Sequence, residues 1–195
     1  MIKSLITNNC HGWVLYRQFG MRYESPTIAL QIMPEEFWKF CKSLRYYLDC
    51  DLVECKEPSE EHKKYLDHMY GPVHDFPMGL LDDILVVFQH DTDFASAAAK
   101  WNRRRARVDF GNVAYMLHVQ DISYGDSIDK FLDLNLPHSV VITENFEYPR
   151  AYSFTVPKGC DCFNVIDNHK LIEDNFSIAE WLNITDKKHV AEWLK

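Results

Sequence analysis

Ile2-Lys3-Ser4-Leu5-Ile6-Thr7-Asn8-Asn9-Cys10-His11-Gly12 is a short apolar run that breaks into two asparagines and then a polar turn bounded by glycine. The run predicts a strand over Ile2 to Thr7, the asparagines predict a turn, and Trp13 to Phe19, stopped by Gly20, predicts a short helix. The same order recurs at Ile84-Leu85-Val86-Val87-Phe88, a continuous apolar run typical of a strand covered on both faces, followed by a helix from Asp93 to about Arg107. Strands that alternate with helical patterns select an α/β fold. The expected architecture is one domain with a mostly parallel sheet flanked by helices on both faces, in which Ile2 to Thr7 and Ile84 to Phe88 are inner strands.

Between and beyond these two units the pattern continues. Ser25-Pro26 opens a strand over Thr27 to Met33, and Pro34-Glu35-Glu36 starts a helix with proline in its first turn and acids at the positive end of its dipole. Phe37, Phe40, Cys41, Leu44 and Leu48 then fall on one helical face. Asp51 to Lys56 is a short strand candidate, and the charged stretch Glu57 to Tyr70 is a surface helix or excursion. Val113 to Val119, Ser139 to Thr143, Ala151 to Val156 and Phe163 to Ile166 complete the strand candidates. Ser127 to Leu134, Ile178 to Leu182 and Lys187 to Leu194 complete the helices.

The 195 residues suit a single core, and 47% apolar content with 12 Phe, 10 Tyr and 5 Trp supplies it. Twenty-one basic against 29 acidic residues leave a net charge of −8, which works against a polyphosphate backbone, so nucleic acid is not an expected partner. The seven glycines lie too far apart for a dinucleotide fingerprint or a P-loop. No apolar run approaches the length of a membrane span and no secretory leader develops at the N-terminus, so the expected location is the cytoplasm. The six cysteines, Cys10, Cys41, Cys50, Cys55, Cys160 and Cys162, are therefore expected to be thiols rather than a disulfide framework.

In a parallel sheet the carboxyl end of a strand meets the N-terminus of the next helix, and that is where ligands bind. The first strand delivers Asn8, Asn9, Cys10, His11 and Gly12 there. A thiol at that position is a candidate nucleophile, and an asparagine amide a candidate oxyanion donor. The alternative is a small buried cysteine with asparagines serving only as turn and cap. His90, just after the second apolar strand, is expected by the same rule to share the crevice as a base; His11 is a second candidate. Asp91-Thr92-Asp93 fits a loose metal-binding pattern of sugar-nucleotide transferases, but Asp93 or Thr92 as a helix N-cap is the preferred reading. Cys160, Asp161, Cys162 and His169 lack zinc-knuckle spacing, and no metal site is expected.

Lys100, Arg103, Arg104, Arg105 and Arg107 crowd the end of one helix in an acidic chain. Such a cluster can decorate a helix C-terminus or clamp a phosphate or carboxylate. The expectation is that carboxylates hold Arg104 or Arg107. Arg105, which falls within the apolar stripe, is expected either to have a buried partner such as Asp82 or Asp83 or to mark a bend in the helix.

Ile6-Thr7-Asn8-Asn9-Cys10-His11-Gly12 with Tyr16, Tyr23-Glu24-Ser25-Pro26-Thr27, Phe76-Pro77-Met78-Gly79 with Leu81-Asp82-Asp83, Phe88-Gln89-His90, and Lys100-Trp101-Asn102-Arg103-Arg104 with Arg107-Val108 and Asn112 together resemble the domain-of-unknown-function family 1919. The resemblance covers roughly residues 1 to 120. It is carried at Asn9, Cys10, Gly12, Ser25, Pro26, Thr27, His90, Trp101, Arg104, Arg107 and Asn112, while His11 and Asp91 stand where the family usually has aromatics. Many members of this bacterial family are labelled exopolysaccharide biosynthesis proteins, and the strand-then-Asn-Cys arrangement is similar to that of a polysaccharide acyltransferase-like group.

The resemblance supplies the glycan context; with the strand-end positions, the leading reading is acyl or related group transfer to a sugar, with Cys10 and His90 catalytic and Asn9, His11, Ser25, Thr27, Trp101, Arg104, Arg107 and Asn112 in contact with a small-molecule or sugar substrate. It names no cofactor and no oligomeric state. The alternatives are a non-catalytic glycan- or nucleotide-sugar-binding accessory protein and a metal-dependent glycosyltransferase.

Overall fold

The computed structural model describes residues 2–157, 170–174 and 176–184. The expected strand Phe163 to Ile166, the helix Lys187 to Leu194, and Cys160, Asp161, Cys162 and His169 lie outside the described residues.

Four parallel strands form the main sheet: β1 (Ser4–Thr7), β5 (Val113–Val119), β6 (Ser139–Glu144) and β7 (Tyr152–Phe154), in the order β1-β5-β6-β7. Side chains alternate across it. Ile6, Val113, Leu117, Val119 and Val141 face one core with Phe37, Phe40, Trp101, Ile128 and Phe131 from α2 (Pro34–Lys42), α5 (Phe94–Arg105) and α6 (Gly125–Asp133). Leu5, Ala114, Met116, Val140 and Ile142 face a second core with Leu15, Tyr16 and Phe19 of α1 (His11–Gln18) and its C-cap, joined by Ile178 and Leu182. The fold is a mixed α/β domain with helices on both faces of the parallel sheet.

The second apolar run behaves otherwise than expected. It forms β4 (Ile84–Val87), in a separate antiparallel sheet with β2 (Val53–Glu54) and β3 (Met78–Leu81), in the order β2-β3-β4. Its burial on both faces is real: Ile84 and Val86 enter the main core, while Leu85 and Val87 pack with Tyr65 and Leu66 of α4 (Glu60–Tyr70). The continuous apolar run reports covered faces and carries no information about edges or direction. Neither β1 nor β4 is an inner strand; each ends its sheet, and β4 adds only a single bridge from Val87 to Gln31. Thr27 to Met33, expected as a strand, contributes that one bridge.

The free edge of β1 is closed by hydroxyls. Tyr16 Oη accepts the Leu5 N–H (2.9 Å) and donates to the Lys3 carbonyl (3.2 Å). Thr27 Oγ1 accepts the Thr7 N–H (3.1 Å) and donates to the Leu5 carbonyl (3.2 Å). Buried backbone groups left unpaired are costly, and these two side chains supply the partners that a fifth strand would have given.

The long helix expected from Pro34 to Leu48 is broken at Ser43 (φ −123°, ψ 41°) into α2 and α3 (Leu44–Asp49). Arg105 donates through Nη1 to the carbonyls of Leu48 (2.8 Å) and Cys50 (2.5 Å), so it caps the C-terminal end of α3, where a cation opposes the helix dipole. This corrects its expected pairing with Asp82 or Asp83, which instead accept from Tyr46 Oη (2.7 Å) and Tyr47 Oη (2.8 Å).

Candidate functional site

Strand β1 carries Asn8, Asn9 and Cys10 past its carboxyl end to the start of α1. Cys10 Sγ lies 3.0 Å from His90 Nε2, which arrives from the other sheet, two residues after Phe88 and three after the end of β4. The thiol is 5% exposed, while the imidazole lies over it at the surface. Gln89 donates from Nε2 to Cys10 Sγ (2.5 Å), and its Oε1 accepts from Tyr70 Oη of α4. The tyrosine therefore fixes which end of the carboxamide faces sulfur, since only the amide nitrogen can donate.

Burial pushes the Cys10 thiol up to about 11, against a smaller lowering by the Gln89 hydrogen bond. Burial also holds His90 below the usual imidazole value, with the Asp91 charge opposing it. Near pH 7 the resting pair is thus thiol and neutral imidazole, with S–H donating to Nε2. Such a pair becomes a nucleophile when the imidazole takes the proton as sulfur attacks.

A second polar array, which the sequence reading missed, lies beside it. Asn9 Oδ1 accepts from the His11 N–H (3.1 Å), so its Nδ2 is turned to His118 Nδ1 (2.7 Å). Nδ1 acts there as an acceptor, which leaves the His118 proton on Nε2, 3.4 Å from Glu144 Oε2; Gln120 Nε2 donates to that same oxygen (2.8 Å). Asn8 clamps the backbone of His118 from both sides, Nδ2 to its carbonyl (2.9 Å) and Oδ1 from its N–H (2.8 Å). His118 and Glu144 stand at the carboxyl ends of β5 and β6, so the rule that pointed to Cys10 also points to them. The signal was present as a histidine near the end of an otherwise apolar strand. Asn9, Gln31, Tyr65, His118, Gln120 and Tyr124 line a small open pocket next to this array.

The other expected site residues divide into three groups. His11 is buried against His118, ring centroids 4.9 Å apart, and belongs to the crevice. Ser25 and Thr27 are fully buried: their hydroxyls bond one another (2.9 Å) and close the edge of β1, and Trp101 fills the core against Phe40 and Phe88. Arg104, Arg107 and Asn112 lie toward the amino-terminal edge of the sheet, where the Asn112 carbonyl accepts from Lys3 and Ser4.

Among the described residues no carboxylate holds Arg104 or Arg107, contrary to expectation. Arg104 lies over the Tyr23 ring (5.3 Å), and Arg107 Nη1 approaches the Tyr23 carbonyl (3.4 Å). Asp93 is the N-cap of α5, accepting from Ser96 N (2.8 Å), and Asp91 pairs with Lys100. Both carboxylates of the Asp-Thr-Asp pattern therefore have structural partners. Among the described residues no group of three His, Cys, Asp or Glu is arranged to hold a metal.

Among the described residues no helix is long and apolar enough to cross a membrane. An uncharacterized protein of Haemophilus influenzae is similar to the chain, 24% identical over 188 residues, which span 92% of this chain and 84% of that protein. A family model described as a domain of unknown function matches residues 2–195, and the chain belongs to that family, DUF1919.

Proposed function

We propose that the protein is a cytoplasmic group-transfer enzyme of bacterial cell-surface glycan synthesis, in which Cys10 carries an acyl group from an activated donor to a sugar hydroxyl. The observation that supports this reading is the 3.0 Å contact between Cys10 Sγ and His90 Nε2, with Gln89 donating to the same sulfur. The Cys10 proton passes to His90 as sulfur attacks the donor carbonyl, and the donor's thiol or alcohol leaves with that proton. A sugar hydroxyl then attacks the thioester, gives its proton to His90, and the thiol is restored. The glycan context and the sugar acceptor rest on the labels carried by members of the family. A cytoplasmic location agrees with Cys10, Cys41, Cys50 and Cys55 being free, since disulfides are rare in a reducing compartment.

One observation favours a second reading, a binding protein in which the thiol only packs: the burial that pushes Cys10 up to about 11. Incubation with a panel of aryl thioesters and esters separates the two. The transfer reading expects a single acyl adduct by intact mass, mapping to the Cys10 peptide and absent from Cys10→Ala. A panel that leaves the wild-type mass unchanged, or that labels Cys10→Ala equally, contradicts it.

A further inference from the structure

Helix α5 starts four residues after His90, the thiol's partner, and the chain just past its end meets the amino end of β1. At its start Asp91, next to His90, holds Lys100; just past its end the Asp109 N–H donates to Ser4 Oγ (2.9 Å). Lys100, Arg104 and Arg107 fall within about 60° of one another around the helix, at 100° per residue. Arg107, although past the last helical residue, still donates its N–H to the Arg104 carbonyl (2.9 Å). The three cations therefore form a stripe running away from Cys10. Arg104 lies about 6 Å and Arg107 about 10 Å along the axis from Lys100, at 1.5 Å per residue.

The two guanidinium groups converge on one residue: Arg104 stacks on the Tyr23 ring at 5.3 Å and Arg107 reaches the Tyr23 carbonyl at 3.4 Å. No carboxylate lies within ion-pair distance of either among the described residues. Asp91 is engaged by Lys100. Arg104 is half-buried; burial and the charges of Arg103 and Arg107 work against its cation, while the nearby Asp91 charge favours it. In a chain of net charge −8, two convergent guanidinium groups with no ion-paired carboxylate among the described residues are suited to an anion, and arginine forks match phosphate oxygens.

Resting on the reading of Cys10 as nucleophile, we infer that Arg104 and Arg107 bind the phosphate-bearing end of the donor. Cys10 follows the carboxyl end of β1, and the segment just past Arg107 meets the strand's amino end at Ser4, so the donor carries its reacting carbonyl on an arm long enough to reach along the strand from the phosphates. A donor whose phosphate adjoins the reacting carbon, such as a nucleotide sugar, cannot place both groups at once. The chemical class is thus a long-armed thioester of a nucleoside diphosphate.

The test uses three probes of the full chain: coenzyme A, which has a diphosphate and a long arm; ADP, which has the diphosphate alone; and UDP-glucose. Binding is read by calorimetry, and protection of Cys10 by the rate of its alkylation with iodoacetamide. Coenzyme A and ADP are expected to bind and to weaken steeply with salt. Arg104→Gln and Arg107→Gln should each weaken both about tenfold or more, with Arg107→Gln, the change that leaves the Tyr23 stacking contact in place, doing so at unchanged melting temperature. Coenzyme A should slow alkylation of Cys10 severalfold at saturation, and ADP should not.

The inference is overturned if neither coenzyme A nor ADP binds, if both arginine variants bind them as wild type does, or if ADP or UDP-glucose protects Cys10 as well as coenzyme A. Binding repeated with Cys10→Ser keeps this separate from the transfer reading. Retained, arginine-dependent binding in that variant supports the anion site even where no acyl adduct forms on the wild type.

Discussion

Each polar side chain around Cys10 has its orientation set by another. Gln89 can donate to sulfur because Tyr70 Oη donates to its Oε1, and Asn9 can donate to His118 because the His11 N–H occupies its Oδ1. The Gln89 hydrogen bond lowers the thiol against the larger effect of burial, so its loss should leave less thiolate at any pH. Gln89→Leu is expected to slow alkylation of Cys10 severalfold at pH 8 to 9, and Tyr70→Phe, which only frees the carboxamide to turn, to slow it less. Equal rates in wild type and Gln89→Leu would show that the carboxamide does not act on the sulfur. The thiol was legible from Asn8-Asn9-Cys10 because a strand end followed by a helix is a local pattern. The roles of Gln89, Tyr70 and Glu144 were not, because each acts through a contact between residues far apart in the chain.

At the level of elements, β1 is a central support of the crevice although it has only one neighbouring strand. Its other edge depends on Thr27 Oγ1 and Tyr16 Oη, and Gly12 sits so close that an added Cβ would lie 2.6 Å from Thr7 Oγ1 and 3.0 Å from the Thr27 carbonyl. Thr27→Val keeps the shape and removes the hydroxyl, stranding the Thr7 N–H and one bond of the Leu5 carbonyl. The expected cost is about 2–6 kcal/mol, at about 1–3 kcal/mol per buried group left unmet, seen as a lower urea midpoint at unchanged slope. A change within about 0.5 kcal/mol would mean that water or a shift of the Ser25-Pro26 turn supplies the missing partners.

Strand β5 was read from sequence at its observed limits, since a seven-residue stretch with His118 as its one polar residue has few other outcomes. Strand β3 was missed because Gly79 interrupts Met78-Gly79-Leu80-Leu81. The Asp82-Asp83 turn that joins it to β4, with Asp82 at φ 55°, was read as a pair of carboxylate partners for an arginine.

At the scale of the molecule, the candidate dyad is made by two sheets. Cys10 comes from the end of a parallel strand and His90 from the end of an antiparallel one, brought together at the start of α1, with Tyr70 of α4 reaching Gln89 and Lys100 of α5 reaching Asp91 on either side of His90. The sequence showed strand-then-helix units and covered faces, which is why the α/β class and the flanking helices were legible. It did not show that Ile84 to Phe88 pairs with Met78 to Leu81 rather than with β1, because strand pairing depends on which edges meet.

The juxtaposition across sheets is tested most directly by the rate of Cys10 acylation by an aryl thioester, followed by mass between pH 5 and 10 in wild type and His90→Asn. Because burial holds His90 below the ordinary imidazole value, it remains a base at pH 7 and loses that role only at a pH below the ordinary imidazole range. The wild-type rate should therefore be level through neutral pH and fall only on the acid side of that range, with His90→Asn slower by about 100-fold or more at pH 7. A wild-type rate that climbs tenfold per pH unit toward the thiol's own value of about 11, matched by His90→Asn throughout, would contradict the account.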